Sequence, residues 1–241
     1  MIRSWLTRKK RPNAQFDPVA PETPILAVGD IHGRADLVER LLRTAPDVPM
    51  IFVGDYIDRG EHSADVLRLL HERPDITCLS GNHEEMMMAF ISNPQDSGPR
   101  WLRFGGLQTL ASFGVAGVSE STTGKALTRA RNDLVDAMGQ DLLAWMNRMP
   151  MYWRSGNVCI VHAGADPSLP PEEQSARHLH WGHPDFKKTP RSDGLWVVHG
   201  HTIVDEAHEE QGRIAIDTGA YATGRLTSAL IGNGHFEFEL V

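Results

Sequence analysis

The sequence of 241 residues predicts an α/β protein with two β-sheets. Between residues 25 and 91, short apolar runs alternate with amphipathic stretches, and this β-α-β-α-β-α order predicts a parallel sheet with right-handed crossovers. From residue 151 onward the apolar runs are strand-like and are separated by polar or glycine-rich turns. We therefore expect a second sheet that packs against the first.

The first half contains three pairs of one strand and one helix. Each strand is a short apolar run, and each helix shows the spacing of an amphipathic helix. The pairs are expected at residues 25–28 and 35–44, 50–53 and 63–71, and 77–79 and 85–91. Residues 92–150 then begin with proline and glycine and continue with a helical apolar spacing over 125–149. They predict a mainly helical insertion beside the site, with a plain continuation of the core as the alternative.

The second half contains further strands and hairpin turns. Ser155-Gly156 and the Gly-Asn-Gly sequence at 232–234 indicate tight turns. The strands are expected at residues 151–154, 157–161, 195–198, 213–216, 226–231 and 235–240. Residues 1–24, with a basic run at 8–11 and several prolines, are expected to form a flexible extension. Residues 25–241 would then form a single domain.

Composition limits the partners and the compartment. The formal net charge of −7 argues against a broad nucleic-acid-binding face. No apolar stretch has the length of a signal peptide or a membrane span, so we expect no membrane-spanning segment. The basic run at 8–11 is expected to be a solvated tail, with contact to a membrane surface or nucleic acid as the alternative. Cys78 and Cys159 each lie inside an apolar run, which predicts two buried thiols, a reducing compartment and hence the cytoplasm.

Polar clusters follow the apolar runs. Aspartate after a strand often forms a turn or caps a helix, but three such clusters at equivalent places in a βαβαβ unit are hard to explain by capping. Imidazole and carboxylate groups at close spacing are ligands that divalent metals prefer. The candidate ligands, all after apolar runs, are Asp30, His32, Asp55, Asn82, His162 and His201.

This ligand set suits two metal ions that share one carboxylate. Asp55 would lie between them, with Asp30 and His32 on one side and Asn82, His162 and His201 on the other. Paired metals ~3.5–4 Å apart can bind the attacking and the leaving oxygens of an in-line phosphoryl displacement. They also lower the pKa of bound water, so that hydroxide is available near neutral pH. Manganese is the preferred expectation, and iron, zinc or magnesium are alternatives.

Several motifs in a fixed order resemble one family. The order resembles the phosphoprotein phosphatases of the calcineurin-like metallophosphoesterase superfamily, in their bacterial and bacteriophage branch. The motifs are Gly-Asp-Ile-His-Gly (29–33), Gly-Asp-Tyr-Ile-Asp-Arg-Gly (54–60), Gly-Asn-His-Glu (81–84), His-Ala-Gly (162–164), His-Gly-His-Thr (199–202) and Ile-Asp-Thr-Gly-Ala (216–220). The resemblance spans residues 25–231. It implies a four-layer α/β/β/α sandwich of two mixed sheets flanked by helices.

The resemblance also implies roles for the matching residues. The six candidate ligands would hold the metals, and His83 would be the general acid that protonates the leaving alkoxide, oriented by Asp58. Arg59 and Asn82 would bind the substrate, since a planar guanidinium matches phosphate oxygens better than an ammonium group does. The implied reaction is attack of metal-bound hydroxide on a phosphomonoester of a phosphoprotein or phosphopeptide. Glu84 is expected to brace its helix.

Two points are left open by the motifs. His199 could by spacing replace His201 as a ligand, although the resemblance favours His201 and places His199 behind the ligands or facing the substrate. The branch usually carries a second phosphate-binding arginine soon after Trp181, where this chain has none. Candidates to replace it are Arg177, His183, Lys187, Lys188 and Arg191.

The resemblance leaves more than one substrate class open. A serine/threonine protein phosphatase is favoured over a symmetrical dinucleoside tetraphosphate hydrolase, because the hydrolase group tends to lack Asp58-Arg59-Gly60 and to carry Asp in place of Glu84. A non-catalytic metal-binding scaffold is the third alternative. Such a scaffold should have lost ligands, whereas this chain keeps all six together with His83.

Overall fold

The computed structural model describes residues 16–241, which form two five-stranded sheets and the helices around them. The strands are β1 (Ile25–Val28), β2 (Met50–Phe52), β3 (Ile76–Cys78), β4 (Tyr152–Ser155), β5 (Val158–Val161), β6 (Trp196–His199), β7 (His208–Glu210), β8 (Arg213–Ala215), β9 (Thr227–Gly232) and β10 (His235–Leu240). The helices are α1 (Ala35–Leu42), α2 (Ser63–His71), α3 (Asn82–Ser92), α4 (Pro94–Trp101), α5 (Leu107–Ser112), α6 (Gly124–Met138), α7 (Gln140–Met146), α8 (Ala176–Trp181) and α9 (Ala220–Thr223).

Both sheets are mixed, and each contains three adjacent parallel strands. The first sheet has the order β10-β9-β1-β2-β3, in which β1, β2 and β3 are parallel and β9 and β10 are antiparallel. The second has the order β4-β5-β6-β8-β7, in which β5, β6 and β8 are parallel. Strands β4 and β7 close its two edges in antiparallel orientation.

The alternation of side chains along β1 explains how the layers pack. Ile25 and Ala27 belong to the core that also contains Ile160 and Val198 of the second sheet. The alternate residues of β1, Leu26 and Val28, belong to a separate core beneath the helices. A strand buried on both faces is the expected product of a continuous apolar run in a parallel sheet. The α/β/β/α architecture implied by the resemblance is thus confirmed.

A third, smaller core covers the outer face of the second sheet. Leu179 of α8 and Phe186 pack there against Val161 and Val197. The sequence predicts a loop where the structure has α8. The helix is not predicted because it is only six residues long and its surroundings are polar. Strand β7, with the sequence His-Glu-Glu, is also absent from the prediction because it lacks an apolar run.

The region at 92–150 contains α4, α5, α6 and α7. The single helical stretch predicted over 125–149 is divided at Gly139, whose φ of 76° is incompatible with a continuous right-handed helix. A π-helical segment at Leu102–Gly106 joins α4 to α5 and contains Gly105 with φ of 110°. These elements bring Trp101 and Thr109 to the candidate site.

The expectation of a flexible extension up to residue 24 does not hold for residues 16–24. Phe16 and Val19 are buried, and the ring of Phe16 lies 5.3 Å from that of Trp196. The Trp196 indole N–H donates to the carbonyl oxygen of Asp17 at 2.8 Å. This segment therefore packs on the domain because it supplies apolar side chains to the core between the sheets. The basic run and the remainder of residues 1–15 lie outside the described residues.

Two expectations from composition can be compared with the structure. Cys78 and Cys159 are both buried and free, and burial raises the pKa of each thiol to about 12. Within residues 16–241, no helix combines the length and the apolar character needed to cross a membrane.

Candidate metal centre and active site

The parallel strands of both sheets end at the same edge of the molecule, and the candidate residues lie there. Asp30 and His32 follow β1, Asp55 follows β2, and Asn82 starts α3 just after β3. His162 and His201 follow β5 and β6 in the other sheet. Ligands at the carboxyl ends of parallel strands are the general arrangement in α/β proteins. The structure brings all six predicted ligands together.

Asp55 occupies the middle of this cluster. Its Oδ2 lies 3.5 Å from Nε2 of His32, and its Oδ1 lies 3.4 Å from Nε2 of His162. Each carboxylate oxygen thus faces a different imidazole, as sharing between two metal ions requires. Oδ1 of Asn82 lies 2.8 Å from Nε2 of His162 and 2.7 Å from Nδ1 of His201.

The hydrogen bonds of two histidines show that this donor set fits metal ions. Nδ1 of His32 lies 2.7 Å from the carbonyl oxygen of Ile57, and Nδ1 of His162 lies 3.2 Å from that of Val53. Since a carbonyl can only accept, both Nδ1 atoms carry protons. Burial lowers the pKa of each ring to about 3, so both rings are neutral. Their Nε2 lone pairs then point at oxygen atoms of Asp55, an arrangement that a cation would stabilise.

Three buried carboxyl groups favour a cation as well. Asp30 is 2% exposed, and the backbone N–H of His201 donates to its two oxygens at 3.2 and 3.0 Å. Burial, together with neighbouring Asp217 and Asp55, raises the pKa of Asp30 well above its ordinary value. Asp217 follows β8, and burial raises its own pKa to about 6. Sequence reasoning did not assign Asp217 to the site, although it lies in the motif at 216–220.

His83 lies beside the ligand cluster and is held from one side. Its Nδ1 lies 2.6 Å from Oδ2 of Asp58, and its Nε2 lies 3.2 Å from Nη2 of Arg59 and 3.9 Å from Oδ2 of Asp55. Burial alone would lower the pKa of His83, but the carboxylates of Asp55 and Asp58 outweigh it and raise the pKa. Because a guanidinium can only donate, Nε2 accepts from Arg59 in this structure. The raised pKa favours uptake of a second proton at this atom, which faces the cluster.

The carboxylate of Asp58 is fixed by the helical region at 92–150. The indole N–H of Trp101 donates to Oδ2 at 3.0 Å, and the hydroxyl of Thr109 donates to Oδ1 at 2.6 Å. The backbone N–H of Asp58 donates to Thr109 Oγ1 at 2.9 Å and to Ser63 Oγ at 3.1 Å. Trp101 and Thr109 are absent from the sequence-based site. They follow Asp58 by 43 and 51 positions, and no motif in the neighbouring sequence indicates that they contact the site.

Glu84 braces the loop that carries Asp55. Its Oε2 accepts bonds from the N–H groups of Asp55 (2.9 Å) and Gly81 (2.8 Å), and its Oε1 accepts from Tyr56 (2.9 Å). This side chain therefore fixes two ligand-bearing loops against each other, a role close to the expected one.

Backbone strain is concentrated at the candidate site. Seven non-glycine residues of the described chain have positive φ, and five of them are His32, Asp55, Asp58, Arg59 and His201. Each such residue costs on the order of 1–3 kcal/mol, and strain of this kind persists where the surrounding structure enforces it, often at functional sites. Contacts with the surrounding structure, and not the local backbone preference of these residues, thus hold the loops in their conformations.

His199 is separate from the cluster, which corrects the expectation that it lies behind the ligands or faces the substrate. Its ring packs on Phe186, 5.0 Å away, at the outer face of the second sheet. Successive side chains of a strand point to opposite faces, so His199 shares the outer face with Val197. Gly200 follows, and a Cβ atom there would collide with Oδ1 of Asp30.

The arginine and lysine candidates differ in their surroundings. Arg59 stacks on Tyr221 at 5.0 Å, and Tyr221 in turn lies 5.4 Å from His32. Arg191 is bound by Asp193 and by the carbonyl oxygens of Asp166 and Leu169, so it is a structural residue of the loop.

His183 lies 3.6 Å from a carboxylate oxygen of Asp166. Arg177, Lys187 and Lys188 are exposed. None of the candidates named from the sequence is fixed beside Trp181, whereas Arg100 of α4 stacks on that residue.

Buried histidines and carboxylates at the strand ends of two packed sheets define a centre suited to metal ions. The chain belongs to the calcineurin-like phosphoesterase family, since the model of that family matches residues 23–205. Serine/threonine-protein phosphatase 2 of Escherichia coli (strain K12) is 29% identical over 222 residues, which cover 84% of this chain and 90% of that protein. The family expected from the motifs is confirmed, and this similarity supports its phosphoprotein phosphatase branch.

A relative with a different name is equally similar over a shorter stretch. The symmetrical bis(5'-nucleosyl)-tetraphosphatase of Methylococcus capsulatus (strain ATCC 33009 / NCIMB 11132 / Bath) is 29% identical over 159 residues, which cover 64% of this chain and 47% of that protein. The crystal structure of a candidate diadenosine tetraphosphatase superposes with a TM-score of 0.62 at 20% identity and covers 95% of both chains. At that identity the superposition concerns the fold alone.

Proposed function

We propose that this phosphoesterase is a serine/threonine protein phosphatase that uses two divalent metal ions, with manganese preferred. The ligands would be Asp30, His32, Asp55, Asn82, His162 and His201. When bound, the metals would activate water and neutralise phosphate charge. The observation that carries the proposal is the position of His83 between Asp58 and Arg59 at the edge of this cluster.

The chain's own residues account for the proton transfer and for substrate binding. The bond to Asp58 keeps a proton on Nδ1 of His83 and orients the ring, so Nε2 can donate a second proton. A serine or threonine alkoxide is a poor leaving group, and an imidazolium near its working pKa is a suitable donor to it. Arg59, beside that nitrogen, would hold phosphate oxygens in its planar fork, and Asn82 would assist.

A second candidate function is hydrolysis of symmetrical dinucleoside tetraphosphates. The similarity to the Methylococcus capsulatus protein favours it, as does the absence of an arginine close after Trp181. The Asp58-Arg59-Gly60 sequence and Glu84 favour the protein phosphatase. Both reactions would use the same ligand cluster, so the substrate is what an experiment must decide.

The test uses metal-depleted protein to which manganese is returned. Phosphate release is measured from phosphoserine, phosphothreonine and phosphotyrosine peptides and from diadenosine tetraphosphate. His83→Asn should lower kcat on phosphoserine and phosphothreonine peptides at least a hundredfold, the scale of general acid catalysis. His62→Asn, at an exposed histidine, serves as the control.

The outcomes separate the candidates. Manganese-dependent turnover of phosphoserine and phosphothreonine peptides that is lost in His83→Asn supports the protein phosphatase. Preference for the dinucleotide overturns the substrate assignment while leaving the metal centre in place. Two bound metals without turnover of any of these substrates would contradict the proposal and favour a non-catalytic scaffold.

A further inference from the structure

Arg100 of α4 is a cation held beside the candidate active site by aromatic rings. Its Cζ lies 4.5 Å from the ring centroid of Trp181 and 5.9 Å from that of Phe104. A guanidinium within about 6 Å of an aromatic ring is attracted by the ring's negative face. The arginine–carboxylate pairs among residues 16–241 involve other arginines, so the N–H donors of Arg100 face no carboxylate there.

Trp181 fixes the position of Arg100 relative to the metal centre. The indole ring lies 6.1 Å from the ring of His201, one of the candidate ligands. Its N–H donates to Oε2 of Glu85 at 2.5 Å, and Glu85 lies in α3 close after Asn82. One edge of the indole is thus bonded to the helix that begins at the site, while its face carries Arg100. The guanidinium is held there by elements that also position the ligands.

Arg59 and Arg100 differ in solvent exposure, since Arg59 is half-buried and Arg100 is exposed. Arg59 contacts His83 directly, whereas Arg100 contacts Trp181, whose ring lies 6.1 Å from that of His201. A charge-assisted bond from guanidinium to oxygen requires about 2.7–2.9 Å between nitrogen and oxygen. Within residues 16–241, Arg59 and not Arg100 is bonded to His83 beside the candidate ligands, so Arg59 is the arginine assigned to the phosphate. Arg100, exposed and stacked on Trp181, is assigned to a second anionic group of the same substrate.

We infer that Arg100 is a specificity-determining residue that binds an acidic side chain next to the phosphorylated residue of a peptide. This inference rests on the protein phosphatase proposed above. A carboxylate matches the guanidinium fork, and an extended peptide rises about 3.3 Å per residue, so side chains next to the phosphorylated residue lie beside the site. The exposed ring of Phe104, at 45% exposure, leaves this side of the site open to a peptide.

The test compares two phosphothreonine peptides that differ only in charge beside the phosphate. One carries Glu at the flanking positions and the other carries Gln, so size is preserved. The kcat/KM of both is measured for the original protein, Arg100→Gln and Arg103→Gln. Arg103 is a matched control, because it is an exposed arginine of the adjoining segment whose Nε donates to the Pro99 carbonyl oxygen. Hydrolysis of p-nitrophenyl phosphate reports on the metal centre.

We expect the original protein and Arg103→Gln to prefer the Glu peptide about fivefold, as exposed charge pairs allow. In Arg100→Gln the two peptides should be hydrolysed equally, while kcat/KM for p-nitrophenyl phosphate stays within about twofold. A preference that survives in Arg100→Gln, or no preference in the original protein, overturns the inference.

A second measurement distinguishes this inference from the proposed function. Phosphonate analogues of the two peptides, in which a methylene group replaces the bridging oxygen, compete with p-nitrophenyl phosphate. If no peptide is hydrolysed, the proposed function fails, but the inhibition constants still report on Arg100. Tighter inhibition by the Glu analogue that is lost in Arg100→Gln supports binding of the acidic group. Equal inhibition constants in the original protein overturn it.

Discussion

The hydroxyl of Thr109 connects the helical region to the proposed proton donor, and its removal is a direct test of that connection. Thr109 Oγ1 accepts the N–H of Asp58 and donates to Oδ1 of the same residue, while Oδ2 of Asp58 bonds to His83. Thr109→Val replaces the hydroxyl by a methyl group of similar size. The variant therefore removes both bonds to Asp58 and the 3.2 Å contact with Ser63 Oγ without opening a cavity.

The size of the effect follows from which groups lose their partners. The N–H of Asp58 keeps its bond to Ser63, so the uncompensated loss is one bond to a buried carboxylate. Such a bond contributes about 1.5–3 kcal/mol to the free energy of unfolding. Trp101 and His83 still bond to Asp58, so we expect kcat to fall about tenfold, equivalent to ~1.4 kcal/mol in activation free energy. KM should stay unchanged because Arg59 keeps its contacts.

The assay combines kcat for p-nitrophenyl phosphate at fixed manganese with unfolding in urea. Thr109→Ser keeps the hydroxyl and serves as the matched variant, which should retain kcat within about threefold of the original. The reasoning is refuted if Thr109→Val loses stability but keeps the original kcat. It is also refuted if the serine and valine variants lose equal activity, since the hydroxyl would then be irrelevant.

Two further predictions concern other contacts of the centre. Trp101→Phe removes the indole bond to Asp58 and should lower kcat about tenfold. Trp196→Phe is the control, because it removes a bond between a buried indole and a carbonyl oxygen away from the site. This control should lower only the free energy of unfolding. Equal loss of kcat in both variants would contradict the positioning role of Trp101. Gly200→Ala places a Cβ atom against Asp30 and should reduce bound metal by at least half, measured by elemental analysis; full metal content would contradict the assigned ligand.

The elements that the sequence predicts well are those with a local signature. Strands β1 and β10 and helix α2 have the predicted bounds, because continuous or periodic apolar residues mark them. The elements that it misses lack such a signature. Strand β7 is polar, and α8 is short. The proline-rich segment at 16–24 predicts a flexible extension, yet Phe16 and Val19 are buried.

The sequence by itself determined the family and the chemical types at the centre. Short motifs contain the six candidate ligands together with His83, Asp58 and Arg59. Each motif indicates its own residues without the others, because each lies in a loop after its own strand. The structure places these residues together at the ends of the parallel strands of both sheets.

Only the tertiary structure decided which other residues support the centre. Thr109 and Trp101 reach Asp58 from a different part of the chain, and Asp217 approaches Asp30 from the second sheet. His199 and His201 are separated because the strand β6 ends between them and turns their side chains to different surroundings. Arg100 of α4 stacks on Trp181 of α8, which follows it by 81 positions in the chain. These contacts join residues far apart in the chain, so packing and not local sequence creates them.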